Sequence, residues 1–573
     1  MFEAGSGTAD ITQFTKGIGM MGYGMHFNIV EEIETPLSAR AFVIRDSETK
    51  KKIVFVNAEI AFITIAIKKE VVKRLHANYP HFGYTDENVI LTAQHTHSAP
   101  GGYSHYPFYN FSIPGFVPAV FEKITGGIIE AIKHAESDIK PAALYLNTGA
   151  FEADQEVAFN RSLPAYNANP EVQKVAEGKT HLAVDREMTL LRIDSPDGIQ
   201  RAMINWFGVH TTSIPNTNKK ICYDNKGYAA SYFEKHIRNT TGLNGFTAAF
   251  AQGVSGDVSP NFIWDSKKKV MRGKYADPFE SARFNGNLQY LKALEIYETA
   301  LKQSPLKGEI DHVLMYVDFS SVQPDKEFTN GQEVHTGPAC HGIAFFRGTA
   351  EGPGMPPALG SVALFLSRTV KKYELLKARF ASAEERNNIL TKYRIQGKKD
   401  IMLEAGAGKI LGASNMSRLI VPSIADKSIA TVKKQYKNGS LRTPWIPQVL
   451  PLQLIIIGEL AIAGFPGEIT TIAGKRLKET LLSVLEKRGI KKVVISSYAN
   501  AYCGYVTTYE EYQCQLYEGG HTVYGEWTLA AFQTEFKKLA LQLLEKPENR
   551  KLDTGVKPLE FTKEELSKRT YEP

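Results

Sequence analysis

The run Asn88-Val89-Ile90-Leu91-Thr92 leads into Gln94-His95-Thr96-His97-Ser98-Ala99-Pro100-Gly101-Gly102, and no other junction constrains the fold as much. The apolar, β-branched run reads as a buried strand, and Pro-Gly-Gly turns the chain away from it. Side chains at i and i+2 of a strand share a face, so the spacing predicts that His95 and His97 project together from the strand end. One imidazole placed there suits a divalent metal, and a second beside it can move protons. Two surface histidines at a strand end would look the same in sequence. The remaining ligands have to come from elsewhere in the chain.

The neighbouring sequence predicts an α/β protein. Ala41–Ile44 and Ile53–Asn57 read as a strand pair around the polar turn 45–49. Apolar stripes predict helices over 65–79 and 116–135, the second with Val120, Ile124, Ile128 and Ile132 on one face. Strand–helix–strand alternation of this kind gives mixed β-sheets flanked by helices, and 573 residues can form one large catalytic domain. Further helices are expected over 228–238, 285–303 and 470–487, with strand and loop between 308 and 360.

Several classes are excluded. The four cysteines (Cys222, Cys340, Cys503, Cys514) are scattered without a Cys-x-x-Cys pair, which rules against a disulfide framework and a thiolate zinc site. The most apolar stretch, 452–465, is interrupted by Gln453 and Glu459 and is too short to span a bilayer. The chain as given opens without a signal peptide. A net charge of +7, locally concentrated as in Lys267-Lys268-Lys269, reads as solvated faces. Nucleic acid is not expected as a partner, and transient contact with an anionic membrane surface is the minority reading.

Other strand ends carry polar chemistry. The strand Ala202–Val209 ends on His210. Phe246–Ala251 runs into a small-residue loop, 253–261, that carries Asp257 and Ser259 and could be a plain turn. A tight strand pair, 452–465, ends in Pro466-Gly467-Glu468 where a helix begins, so Glu468 is either aimed at a metal or a capping acid. The strand 493–496 enters a tyrosine-rich loop that includes Tyr505 and Tyr517. Ligands of α/β sheets bind outside the carboxyl ends of strands, so these junctions can meet in one crevice. Two histidines and one glutamate are a set that catalytic zinc uses while keeping a position open.

Taken together, the motifs resemble those of the neutral/alkaline (non-lysosomal) ceramidases. The resemblance is carried by Gly22-Tyr23-Gly24, the His95–Gly102 motif, Asn160-Arg161-Ser162, Asn205–His210, Asn216-Thr217-Asn218, Asp224–Ala230, Gly256–Asn261, Pro466-Gly467-Glu468 and Gly504–Thr508, in the family's order from about residue 5 to 527. It implies a catalytic domain over 1–545 that uses one Zn2+ to split the N-acyl bond of ceramide into sphingosine and a fatty acid. The remainder, 546–573, would be a tail or the start of a linker.

Residue by residue, the resemblance puts the zinc ligands at His95, His210, Glu468 and Tyr505. His97 would be the catalytic histidine, Tyr517 the residue that steadies the oxyanion, Arg161 a substrate contact and Ser259 the serine assigned as nucleophile. Two mechanisms stay open: a zinc-activated water attacks while Ser259 positions substrate, or Ser259 attacks and forms an acyl-enzyme. The family's C-terminal immunoglobulin-like domain is expected to be absent, and with it support for a second divalent ion. Cys222-Tyr223 replace a frequent Ser-Ser, and Glu351 replaces a usual Asp. Both changes are expected to flank the site and to bear on substrate identity. Cleavage of another N-acyl lipid, small amide or ester is the alternative, and a non-catalytic lipid- or glycan-binding protein is a third. The implied partner is a ceramide-like lipid. Oligomeric state and location stay open, although relatives are mostly secreted, periplasmic or at the cell surface.

Overall fold

The computed structural model describes residues 2–416 and 427–572. The larger sheet has eight strands: β1 Phe2–Asp10, β2 Ser38–Asp46, β3 Lys52–Ala58, β4 Val89–Ala93, β5 Lys140–Ala150, β6 Glu187–Asp194, β7 Gln200–Phe207 and β8 Thr247–Gln252. Their order is β8-β7-β6-β5-β1-β2-β3-β4. The edge pairs β3/β4 and β7/β8 are parallel, and the rest are antiparallel. The smaller sheet runs in the order β9 Ile310–Asp318, β10 Val449–Ile457, β11 Leu460–Gly464, β12 Lys492–Ser496.

Period-two alternation stacks the sheets into four layers. Phe42, Ile44 and Phe55 point inward and share one core with Ile455, Ile457 and Ile462 of the smaller sheet. Their alternates Ala41, Val43, Val54 and Val56 face the helices Ile65–Asn78 and Pro118–Ser137. Leu454 and Ile456 point the other way, under the helices Thr471–Leu485 and Thr528–Gln542. The large sheet coils with its strand twist until its outer strands meet at their carboxyl ends. There Gln252, closing β8, donates to the Gln94 carbonyl just past β4 at 3.0 Å. The ends of the two edge strands of an eight-stranded sheet thus become neighbours, and this places the site.

Two expected helices start earlier than their apolar periodicity. The helix read over 228–238 spans Asp224–Thr241, because Asp224, Asn225 and Lys226 are buried as polar residues and give no apolar signal. The helix read from 285 starts at Pro278 behind an Asp277 cap. Between 308 and 360 the chain also contains a short helix, Ile343–Arg347, that glycine and proline density had hidden.

Residues beyond 545 lie against this body. Phe561 packs edge-on against Tyr106 with ring centres 5.1 Å apart, and Phe116 N–H donates to the Arg569 carbonyl at 2.8 Å. The segment is pinned at Arg550, which donates to the buried Asp311 at 3.1 Å, while Arg488 lies 2.7 Å from the same carboxylate. Burial opposes ionisation of Asp311, but hydrogen bonds and charge from both guanidiniums outweigh it and pull its pKa from 3.8 to about 2. The folded value lies below the unfolded one, so the stabilisation is complete above pH 3.8 and is lost as pH falls towards 2. Asp311→Asn should therefore cost about 2 kcal/mol at pH 7 and less at pH 3, as read from urea unfolding at the two pH values.

Candidate metal centre

His95 and His97 meet by a different route from strand alternation. The strand β4 stops at Ala93, and His95 sits in the left-handed region with φ 77°. That conformation is costly for a residue with a Cβ and points to a site whose surroundings enforce it. Here His95 N–H donates to the Ile60 carbonyl at 3.0 Å, and Nδ1 lies 2.6 Å from the Ala61 carbonyl. The proton therefore belongs on Nδ1, and the Nε2 lone pair faces inward. His97 lies edge-on to His95 with the two Nε2 atoms 3.0 Å apart. Gly22 makes room for it: with φ 127°, a Cβ there would stand 2.4 Å from His97 Cγ.

His210 follows β7 through Gly208, where a Cβ would fall 1.7 Å from the Val254 carbonyl oxygen, so only glycine lets the loops close. Its Nδ1 lies 2.8 Å from the Ser255 carbonyl and 2.9 Å from that of Val258, which again leaves Nε2 for the centre. Glu468 is not a helix cap. It belongs to a two-residue parallel bridge, Glu468–Ile469 with Tyr505–Val506, while Thr470 precedes the helix. The bridge aligns Glu468 with Tyr505.

The convergence is direct. His210 Nε2 lies 2.9 Å from Glu468 Oε2 and 3.2 Å from the Tyr505 hydroxyl, and His95 Nε2 lies 3.5 Å from Glu468 Oε1. Ligand atoms of His95, His210 and Glu468 all fall within 4.8 Å of one another, and His97 does not belong to that set. The donors fit a cation. Burial lowers the His95 pKa to about 4 and that of His97 well below the usual range, so both are neutral at pH 7. Glu468 is 2% exposed. Burial opposes its ionisation, while His95, His210 and the Tyr502 hydroxyl hold its carboxyl well below the usual range. A buried carboxylate facing a neutral His95 still lacks a full countercharge.

The nearby cation is committed elsewhere. Arg161 donates to Glu518 (2.8 Å), Glu351 (2.7 Å), the Gly256 carbonyl (2.9 Å) and the Tyr505 oxygen (2.9 Å). The last bond favours an electron-rich phenol oxygen, as a metal ligand needs. Ser259 does not pair with a histidine: its hydroxyl donates to Glu351 Oε2 at 2.5 Å. The same oxygen accepts from Asn261 Nδ2 at 2.7 Å. Glu351, expected to flank the site, is therefore inside it. Burial opposes its ionisation, but Arg161 leads the groups that lower its pKa. Glu351→Gln would turn an amide N–H towards donors, and loss of one member of a buried pair typically costs about 3–5 kcal/mol. A falling thermal midpoint together with weakened catalysis checks this.

Tyr517 is half-buried, 5.4 Å from the Tyr505 ring, and burial raises its pKa. Among the described residues its hydroxyl has no hydrogen-bond partner, which leaves a free donor at the rim. Sequence reasoning missed Tyr498 and Tyr502. Tyr498 stacks on His95 with ring centres 4.0 Å apart and donates to Glu468 at 3.2 Å, and Tyr502 donates to it at 2.5 Å. Tyrosine density in 498–517 was the only signal that could have found them. A cavity of about 810 Å³ beside the helices Pro357–Lys377 and Ala383–Gln396 contains none of these residues.

The chain is also similar to known proteins over nearly its whole length. The family profile described as neutral/alkaline non-lysosomal ceramidase, N-terminal, matches residues 2–534. A neutral ceramidase of Pseudomonas aeruginosa is 36% identical over 549 residues, covering 95% of this chain and 72% of that protein. Neutral ceramidase A of Dictyostelium discoideum is 33% identical, covering 95% and 73%. The crystal structure of the Pseudomonas aeruginosa neutral ceramidase superposes with a TM-score of 0.77 at 32% identity, covering 99% of this chain and 77% of that one. A ceramidase complexed with C2 gives 0.78 at 33% identity, covering 98% and 77%.

Proposed function

The chain belongs to the neutral/alkaline non-lysosomal ceramidase family, and from that premise we propose that it is a Zn2+-dependent amidohydrolase that releases a fatty acid and sphingosine from ceramide. The observation that carries the proposal is the buried convergence of His95, His210 and Glu468, with the Tyr505 oxygen beside them. Two imidazole nitrogens, a carboxylate and a phenol oxygen form a nitrogen–oxygen set suited to a single Zn2+. When bound, such an ion supplies Lewis acidity towards the amide carbonyl and lowers the pKa of water. We place the catalytic domain over 1–545.

The chain's own groups cover the remaining needs of amide hydrolysis. Neutral His97 takes a proton and returns it to the leaving amine. The Tyr517 hydroxyl donates to the carbonyl oxygen as negative charge grows there. Arg161 and Glu351 fix Tyr505 and Ser259 relative to each other, so Arg161 acts as a positioning residue. Ser259, whose proton already points at a carboxylate, is oriented for substrate or for attack. Trapping an acyl group on Ser259 in a quenched reaction would select attack.

The purified protein should hold about one zinc per chain and release fatty acid from ceramide. Chelation should abolish that activity, and added Zn2+ should restore it. Absence of zinc, together with indifference to chelator, would overturn the proposal. Zinc with turnover of other N-acyl lipids or esters, and none of ceramide, would move the substrate but keep the chemistry.

A further inference from the structure

The helix Pro357–Lys377 is amphipathic in an inverted sense. Its buried positions are Gly360, Ala363 and Ser367. Its solvent face carries Leu359, Val362, Phe365, Tyr373 and Leu376, with Phe380 in the turn that follows. Phe365 is 70% exposed, Tyr373 65% and Phe380 86%. Steps of three and four residues place Leu359, Val362, Tyr373, Leu376 and Phe380 on one stripe. Single exposed apolar residues are ordinary, whereas a contiguous stripe marks a surface that something covers. The register is enforced, because a Cβ at Gly360 would stand 2.9 Å from Arg347 Nε. Rotating a large side chain into that contact would break it.

Charge identifies the covering phase. From 357 to 380 the chain has five basic residues, Arg368, Lys371, Lys372, Lys377 and Arg379, against Glu374 alone. On a helical projection Lys372 and Arg379 border the stripe on one side and Lys377 on the other. Lys377 pairs with Glu385 at 2.8 Å, and no ion pair engages Lys372 or Arg379 among the described residues. An apolar stripe edged by cations is the pattern of a helix lying in the headgroup layer of an anionic bilayer. The helix starts six positions after Glu351. A nine-residue loop, 348–356, joins it to the helix Ile343–Arg347, whose Phe345 ring lies 5.3 Å from that of Tyr517 at the rim of the site.

We propose that the apolar face of residues 357–380 docks on an anionic lipid bilayer and thereby sets the rim of the candidate site against the membrane surface. Docking itself does not depend on the catalytic reading, so it can be measured without substrate. In flotation with ceramide-free vesicles, the full chain should bind phosphatidylcholine vesicles containing phosphatidylglycerol far better than phosphatidylcholine alone. Added salt should weaken the binding. The variant Phe365→Ser/Tyr373→Ser/Leu376→Ser should bind about tenfold more weakly or worse, with an unchanged thermal midpoint because the three side chains are solvent-facing. Lys372→Glu/Arg379→Glu should remove the preference for the anionic lipid. Equal binding by the full chain and the triple variant would overturn the proposal. So would a stable dimer in sedimentation that the triple variant dissolves, since the stripe would then be a protein interface. A chain that floats but leaves ceramide intact would keep the docking surface and reject the proposed function.

Discussion

Glu468→Gln is expected to remove both the metal and the activity while leaving the protein folded. The amide keeps the volume of the carboxyl and an acceptor for Tyr498 or Tyr502, so packing around the 2%-exposed side chain survives. The negative charge is lost. With His95 neutral at pH 7, Glu468 is the anionic member of the His95–His210–Glu468 set, and its removal takes away most of the attraction for a divalent cation. Metal content should fall to near zero, and ceramide hydrolysis by at least ~10³-fold, on the order of 4 kcal/mol of transition-state stabilisation. A variant that kept a full metal equivalent would show that the ligands lie elsewhere. Unchanged far-ultraviolet circular dichroism makes the loss readable as chemistry.

His97→Ala separates the two neighbouring histidines. Its Nε2 lies 3.0 Å from that of His95, yet it stands outside the three-residue ligand set. The variant should keep its metal and lose ~10²–10⁴-fold in kcat, the usual worth of a positioned general acid–base. The limb of the pH–rate profile that reports this base should disappear with it. Loss of metal in this variant would instead make His97 a fourth ligand and move proton transfer to another group. Because Gly22 packs directly on the His97 ring, Gly22→Ala should reproduce part of this effect by displacing the imidazole.

Much of the candidate site was legible because its members sit at strand ends, where apolar runs stop at a polar residue. His210 after β7 and Glu468 after β11 are of this kind. The reason His95 and His97 converge was not legible: alternation predicts a shared face, whereas the observed pair depends on a left-handed residue held by the Ile60 and Ala61 carbonyls. A backbone conformation imposed by tertiary contacts leaves no mark in local periodicity. Glu351 was expected only to flank the site, and its place inside it was not legible for a related reason, since Gly348–Gly354 reads as loop and its role depends on Arg161 and Ser259, both distant in sequence. The fold class followed from alternation, but the polar buried start of the helix Asp224–Thr241 did not, because hydropathy cannot register a polar residue satisfied in a core.

The bridge between Glu468–Ile469 and Tyr505–Val506 bears on how the protein is made. His95 and His210 belong to the first half of the chain and to the larger sheet, whereas Glu468 and Tyr505 arrive late and on the other side of the sheet–sheet core. A chain translated only as far as residue 503 has both histidines and the glutamate but not the tyrosine, and the strand that aligns the glutamate is missing. The proposed metal site would therefore be complete only once the Tyr505–Val506 strand has been made and has paired with Glu468–Ile469.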